Sequence, residues 1–91
     1  MTFDWYLIFN LTEFLATGLV SRDMTVSLEG IGDADVMITK GNLVSIVFRD
    51  VIMPILFDDE NPFVREGDDG TYAVFKDPAT ENVYLGIEVE A

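Results

Sequence analysis

The segment at residues 57–70, FDDENPFVREGDDG, holds the densest group of side chains that could do chemistry. Within it lie six carboxylates and one central aromatic ring: Asp58, Asp59, Glu60, Phe63, Glu66, Asp68 and Asp69. Carboxylates spaced along an exposed loop can take the place of backbone phosphates in a basic groove. We therefore predict a partner-binding site at these seven residues. The competing interpretation is a solvated loop whose like charges repel each other and bind nothing specific.

The same segment raises two further questions, namely where the Phe63 ring lies and whether the carboxylates bind calcium. Phe63 is either an exposed anchor at an interface or a ring that folds back over the core edge and pins the loop. An EF-hand that started at Asp58 would need Gly at its sixth position and Glu at its twelfth, where this chain has Phe63 and Asp69. The EF-hand pattern therefore fails, and only an irregular calcium site using Asp58, Glu60 or Asp68 is left as a minor alternative.

Catalysis is difficult to build from this composition. The chain contains no histidine and no cysteine, so the commonest general base and the strongest nucleophile are missing. The usual zinc ligand sets are missing for the same reason. Gly30 and Gly32 are too isolated for a phosphate-binding loop. We expect no enzymatic activity, no metal and no cofactor.

The net charge of the chain limits the classes of molecule that it can bind. Seventeen acidic residues oppose five basic ones among 91 residues, which gives a formal net charge of -12. Such a surface repels nucleic acid and anionic membranes and attracts basic protein surfaces. The basic residues are dispersed, so direct binding to nucleic acid is not expected. They are Arg22, Lys40, Arg49, Arg65 and Lys76.

Composition also predicts one folded domain over residues 1–91, because 49% of the residues are hydrophobic. The chain has no cysteine to form a disulfide, which leaves the cytoplasm as the expected location. Residues 3–9 are apolar, but no basic residue precedes them and Asp4 interrupts them, so neither a secretory signal nor a membrane anchor is predicted.

A capped helix is predicted at residues 11–17. Asn10 is suited to the N-cap, Glu13 follows three residues later, and Gly18 is placed to end the helix. Residues 3–9 either extend this helix backwards or form a strand, and periodicity does not decide between the two. Trp5 and Tyr6 are expected in the core.

The rest of the sequence is typical of strands, because alternation and β-branched residues replace helical spacing. Pro54 favours an edge strand or a bulge. The predicted strands lie at residues 23–29, 36–38, 43–48, 51–57, 71–76 and 83–90, with turns at 30–33, 40–42 and 77–80. In the last strand Val83, Leu85, Ile87 and Val89 are expected to face inward. The predicted class is α+β, with one short N-terminal helix packed on a mostly antiparallel sheet or small barrel of five to six strands.

Two functions fit these features. In size, acidity and lack of catalytic residues the chain resembles small phage-encoded inhibitors of host enzymes, with which it shares no motif. This resemblance implies a nucleic-acid-mimicking decoy that occupies the basic groove of a host protein, such as a nucleic-acid-binding enzyme, in the host cytoplasm. The alternative is an assembly subunit of a phage particle or another complex, located in the virion. That subunit would associate, with itself or others, through a sheet edge and the N-terminal aromatic residues.

Overall fold

The chain folds into two antiparallel four-stranded sheets. A computed structural model describes residues 2–16, 24–39, 43–55 and 61–89. Sheet A has the strand order β1-β8-β7-β6, and sheet B has the order β2-β3-β4-β5. The described elements are β1 (Thr2–Asn10), α1 (Leu11–Ala16), β2 (Met24–Leu28), β3 (Gly32–Thr39), β4 (Leu43–Phe48), β5 (Val51–Pro54), β6 (Phe63–Gly67), β7 (Gly70–Lys76) and β8 (Asn82–Val89).

The predicted α+β class is wrong. The helix does form, and the N–H of Glu13 donates to the side-chain oxygen of Asn10 at 3.1 Å, as the cap predicts. However, α1 has only six residues, so its buried Leu11 and Phe14 add to the core without forming a helical layer on a sheet. The described residues also contain eight strands rather than five or six. β1 shows that the strand alternative holds for residues 3–9, and no strand was expected at the position of β6. β1 pairs with β8, far along the chain, whereas β6 forms a hairpin with the next strand, β7, across the turn at Asp68 and Asp69.

Several predicted turns and strands are confirmed. Gly30 lies in the turn between β2 and β3, while Gly32, with a φ of 135°, already begins β3. The turn between β7 and β8 lies where it was predicted. The predicted turn at residues 40–42, Gly18 and Arg22 are outside the described residues.

One hydrophobic core joins the inner faces of both sheets. Sheet B contributes Val36, Ile46 and Met53, which lie directly opposite one another across three strands and are fully buried. Sheet A contributes Val83 and Leu85, so the inward side predicted for the start of β8 is confirmed. Ile87 and Val89 follow on the same side of the strand, but Ile87 is only partly buried and Val89, at 39% exposed, lies outside the core.

A β-bulge divides β1 into two parts that face opposite sides. The pairing with β8 shifts between Leu7 and Phe9, so Ile8 is an extra residue in the ladder. Phe9 therefore enters the core, while Trp5 and Leu7 project from the outer face. The expectation that Trp5 lies in the core is wrong, because 41% of this residue is exposed.

The two sheets meet where β5 approaches β6. Pro54 lies on an edge strand, as predicted, and the N–H of Ile55 continues the pairing by donating to the Val44 carbonyl at 2.9 Å. The Arg65 guanidinium donates to the Ile52 carbonyl at 2.7 Å and so links the edges of the two sheets. These contacts close one side of the core without a regular ladder.

Gly67 sets how closely β6 approaches β5. A Cβ atom at this position would lie 2.6 Å from Cγ2 of Val51 and 3.3 Å from the Tyr72 ring. We predict that Gly67→Ala lowers the free energy of unfolding by about 1–3 kcal/mol, the usual cost of overpacking. Urea denaturation monitored by circular dichroism measures this change.

The control for this substitution is the Val51→Ala background, which removes the clashing methyl group. In that background the cost of Gly67→Ala should be clearly smaller. An equal cost in both backgrounds would show that contact with Val51 is not the reason.

Candidate functional site

The predicted acidic segment is not one continuous loop. β6 runs through its middle for five residues, a length of roughly 16 Å. Asp68 and Asp69 form the exposed turn after β6, whereas Phe63 begins the strand at its other end. Glu66 lies on β6 and is exposed. Asp58, Asp59 and Glu60 are outside the described residues, so their assignment to a partner site stays a prediction.

Phe63 packs against the core rather than projecting from a loop. It is partly buried and contacts the core cluster, and the Arg65 guanidinium lies 5.1 Å from the centre of its ring. This placement matches the interpretation in which the ring is pinned over the core edge.

The structure gathers a different set of carboxylates at one end of the molecule. The turns between β2 and β3, between β4 and β5, and between β6 and β7 meet there around Arg49. Each turn presents at least one exposed carboxylate. We call Glu29, Asp50, Asp68 and Asp69 the acidic end.

Arg49 holds these three turns together. Its guanidinium donates to the Tyr72 hydroxyl at 3.1 Å and to the Ile31 carbonyl at 3.2 Å, and the Tyr72 hydroxyl donates to Asp69 at 2.9 Å. The same guanidinium lies 4.9 Å from the centre of the Phe48 ring. The hydrogen bond to Tyr72 raises the pKa of Arg49, so the cation is retained at every physiological pH.

The backbone of this turn is unusual. Arg49 and Asp50 have φ values of 48° and 66°, the left-handed conformation that a two-residue hairpin turn requires. Asp tolerates this conformation, but for Arg it costs about 1–2 kcal/mol. The contacts of the Arg49 side chain offset that cost, and through the Tyr72 hydroxyl they connect this turn to Asp69.

A second surface lies on the outer face of sheet A. Trp5, Gly86, Ala73 and Val64 are directly opposite one another across the four strands, and Leu7, Tyr84 and Phe75 form the adjacent row. We call these seven residues the aromatic face. Trp5, Leu7 and Val64 are 41%, 56% and 44% exposed, so this face is not covered by any described element.

The aromatic face contains a shallow notch of about 280 Å³, lined by Trp5, Phe75 and Tyr84. The rings of Trp5 and Phe75 meet edge to face with centres 6.1 Å apart. Gly86 allows this arrangement, because a Cβ atom there would lie 2.7 Å from the Trp5 ring. Trp5 therefore lies flat across β8 and leaves the notch open beside it.

The described residues offer neither a metal site nor a membrane-spanning helix. In the described residues no three acidic side chains are arranged to hold a metal ion. The irregular calcium site through Asp58 and Glu60 falls outside those residues. Within the described ranges, no helix has the length and apolar character needed to cross a membrane.

Sequence reasoning missed the acidic end and the aromatic notch. Glu29 and Asp50 lie far from Asp68 in the sequence, and only the fold brings the three turns that carry them to the same end of the molecule. For the notch a usable signal existed. Phe3, Trp5 and Leu7 alternate with Asp4 and Tyr6 and mark one face of a strand, but the bulge at Ile8 hid that pattern by placing two consecutive apolar residues inside.

Comparisons with known proteins add no family. No protein-family model matches the chain, and no characterised protein or solved structure matches it significantly. Any statement about function therefore depends on the two surfaces described above.

The Tyr72 hydroxyl connects the core to the acidic end through its hydrogen bonds to Arg49 and Asp69. Tyr72→Phe removes its bonds to Arg49 and Asp69, and we predict a loss of about 1 kcal/mol in the free energy of unfolding. Amide hydrogen exchange should become faster in all three turns.

The matched control is Tyr84→Phe, because the Tyr84 hydroxyl has no described hydrogen bond. This substitution should leave stability and exchange close to those of the unmodified protein. If Tyr72→Phe behaved in the same way, the network would not hold the turns.

Proposed function

We propose that this chain is a non-enzymatic protein-binding domain that docks its acidic end into the basic groove of a nucleic-acid-binding protein. The observation that supports this proposal is the convergence of three hairpin turns on Arg49. Carboxylates held on short turns lose little freedom on binding, so more of the attraction remains as affinity. In this role the domain acts as a decoy that excludes nucleic acid from its partner.

The net charge of -12 supports the same proposal. Electrostatic steering brings oppositely charged proteins together faster than unassisted diffusion and docking allow. A fast association rate suits an inhibitor that must reach its target before nucleic acid does. Under this proposal the partner is a host enzyme or complex, and the chain acts in the cytoplasm where that host protein lies.

Salt dependence and competition test the decoy. The tagged domain is used to capture proteins from a bacterial lysate at low salt, and the captured protein is then identified and purified. Its affinity for the domain should fall steeply as salt rises, and DNA or RNA should displace the domain. An affinity that changes with neither salt nor added nucleic acid would contradict the decoy proposal.

Two matched triple variants locate the binding carboxylates. Glu29→Gln/Asp50→Asn/Asp68→Asn removes three of the four carboxylates of the acidic end, and Asp58→Asn/Asp59→Asn/Glu60→Gln removes the same charge from the other acidic run. We predict that the first variant weakens binding at least about ten-fold, since rigid charge pairs at an interface contribute about 1.5 kcal/mol or more. The second should weaken it less. Isothermal titration calorimetry at a fixed salt concentration measures both.

If the second variant weakened binding more than the first, the binding site would be assigned to residues 58–60. Equal and small effects in both variants would show that only the overall charge matters. Asp69 is left unchanged because it accepts the Tyr72 hydrogen bond and its substitution would disturb the fold.

Assembly is the second candidate function, and β1 supports it. This strand has nine residues and lies at the edge of sheet A, and it exposes Trp5 and Leu7. Long apolar edge strands pair readily with other chains. A subunit of a virion or another complex would use such an edge, while the carboxylates would keep the free subunit soluble.

Sedimentation velocity at several protein concentrations distinguishes assembly from the decoy. An assembly subunit should self-associate more strongly at high salt, because salt screens the repulsion between its negative copies. Leu7→Lys should then abolish self-association, whereas Ile52→Lys, at a similarly exposed position on β5, should not. A monomer at every concentration and salt level would rule out self-assembly.

A further inference from the structure

We infer that the notch between Trp5, Phe75 and Tyr84 receives an arginine side chain of the protein partner. This inference rests on the proposed function, because it assigns one contact in the complex with a basic protein. It adds a binding site that is separate from the acidic end and of different chemistry.

The size of the notch argues for a single side chain. Its volume of about 280 Å³ lies just below the roughly 300–1,000 Å³ that small-molecule pockets occupy. The notch is shallow and open, so the whole of a cofactor would not be covered. An extended side chain lying along the rings, with its stem on the apolar floor, fits these dimensions better.

The rings supply the attraction. The faces of aromatic rings carry negative potential, and a guanidinium binds to them by cation–π interaction and by stacking. Trp5 gives the largest such face, and Phe75 and Tyr84 flank it. Because Gly86 has no side chain, the Trp5 ring rests on β8 at this position and stays beside the other two rings.

Charge on the same face selects a cation over other occupants. Glu88 pairs with Phe3, one row from Trp5, at about 7 Å along the strand, and Glu66 lies on the same side of sheet A. Both are exposed. Among the described residues the outer face of sheet A presents no lysine or arginine, since Arg65 and Lys76 project from the other side. An acidic or phosphorylated segment would be repelled.

Arginine is favoured over lysine by the shape of its charged group. A guanidinium is planar and weakly hydrated, so it stacks on Trp5 and still donates hydrogen bonds at its edges to carboxylates. An ammonium group is compact and strongly hydrated and loses more solvation in a shallow site. Arginine is also enriched among the residues that dominate interface energies.

Trp5 is the chain's only tryptophan, so it reports directly on the notch. The experiment titrates the full chain with the blocked tripeptide acetyl-Gly-Arg-Gly-amide and follows Trp5 emission and the indole N–H chemical shift. The same peptides with citrulline, lysine and leucine in place of arginine serve as probes at matched ionic strength. Citrulline keeps the shape of arginine but has no charge.

We expect a saturable response to both peptides, with the arginine peptide binding about 2- to 5-fold more tightly than the citrulline peptide. This ratio of affinities is the range for a cation–π contact at an exposed site. Phe75→Leu should remove most of this difference. Tyr6→Leu, which changes an aromatic residue on the opposite face of β1, should preserve it. Circular dichroism verifies that both variants are folded, and the comparison of arginine with citrulline in the unmodified chain does not depend on them.

Equal responses to arginine and citrulline would overturn the inference. A stronger response to the leucine peptide would assign the notch to an apolar anchor instead. A Trp5 signal that changes with protein concentration in the absence of peptide would show that a second copy occupies the face. No partner protein is used, so failure here leaves the decoy untouched, and failure of the charge-neutralised variants leaves this site untouched.

Discussion

Tyr72 is the residue on which the arrangement of both sheets depends. It is 1% exposed, and its ring packs edge to face on Phe48 with centres 5.2 Å apart, which joins β7 of sheet A to β4 of sheet B. Its hydroxyl extends out of the core and binds Arg49 and Asp69. The same side chain therefore supplies apolar contact between the layers and a polar anchor for the turns.

The second constraint is the bulge in β1. Without the extra residue at Ile8, strict alternation would place Phe9 on the same side as Trp5 and Leu7, and sheet A would lose a core residue. With the bulge, the C-terminal part of β1 closes the core while its N-terminal part builds an aromatic outer face. One half of β1 thus contributes to the core, and the other half contributes to the candidate interface.

The acidic end and the aromatic face complement each other as parts of a binding surface. Interfaces concentrate affinity in aromatic and arginine contacts, while charged rims steer association and fix orientation. Glu66 and Glu88 lie on the outer side of sheet A, between the aromatic rows and the end of the molecule where the turns meet. A basic partner could meet both surfaces at once, with carboxylates guiding the approach and the rings holding a cation.

The sequence by itself determined the features that depend on near neighbours or on composition. These include the negative charge, the absence of histidine and cysteine, the capped helix after Asn10, the edge position of Pro54 and the inward side of Val83 and Leu85. Only the tertiary structure decided that β1 and β6 are strands, that Trp5 is exposed, that β6 divides the acidic segment, and that Glu29 and Asp50 join Asp68. The reason is physical. β1 pairs with β8 far along the chain and changes face at a bulge, so no local pattern carries its position. β6 pairs with its neighbour β7, but its mixed charged and apolar residues lack the alternation that marks a strand.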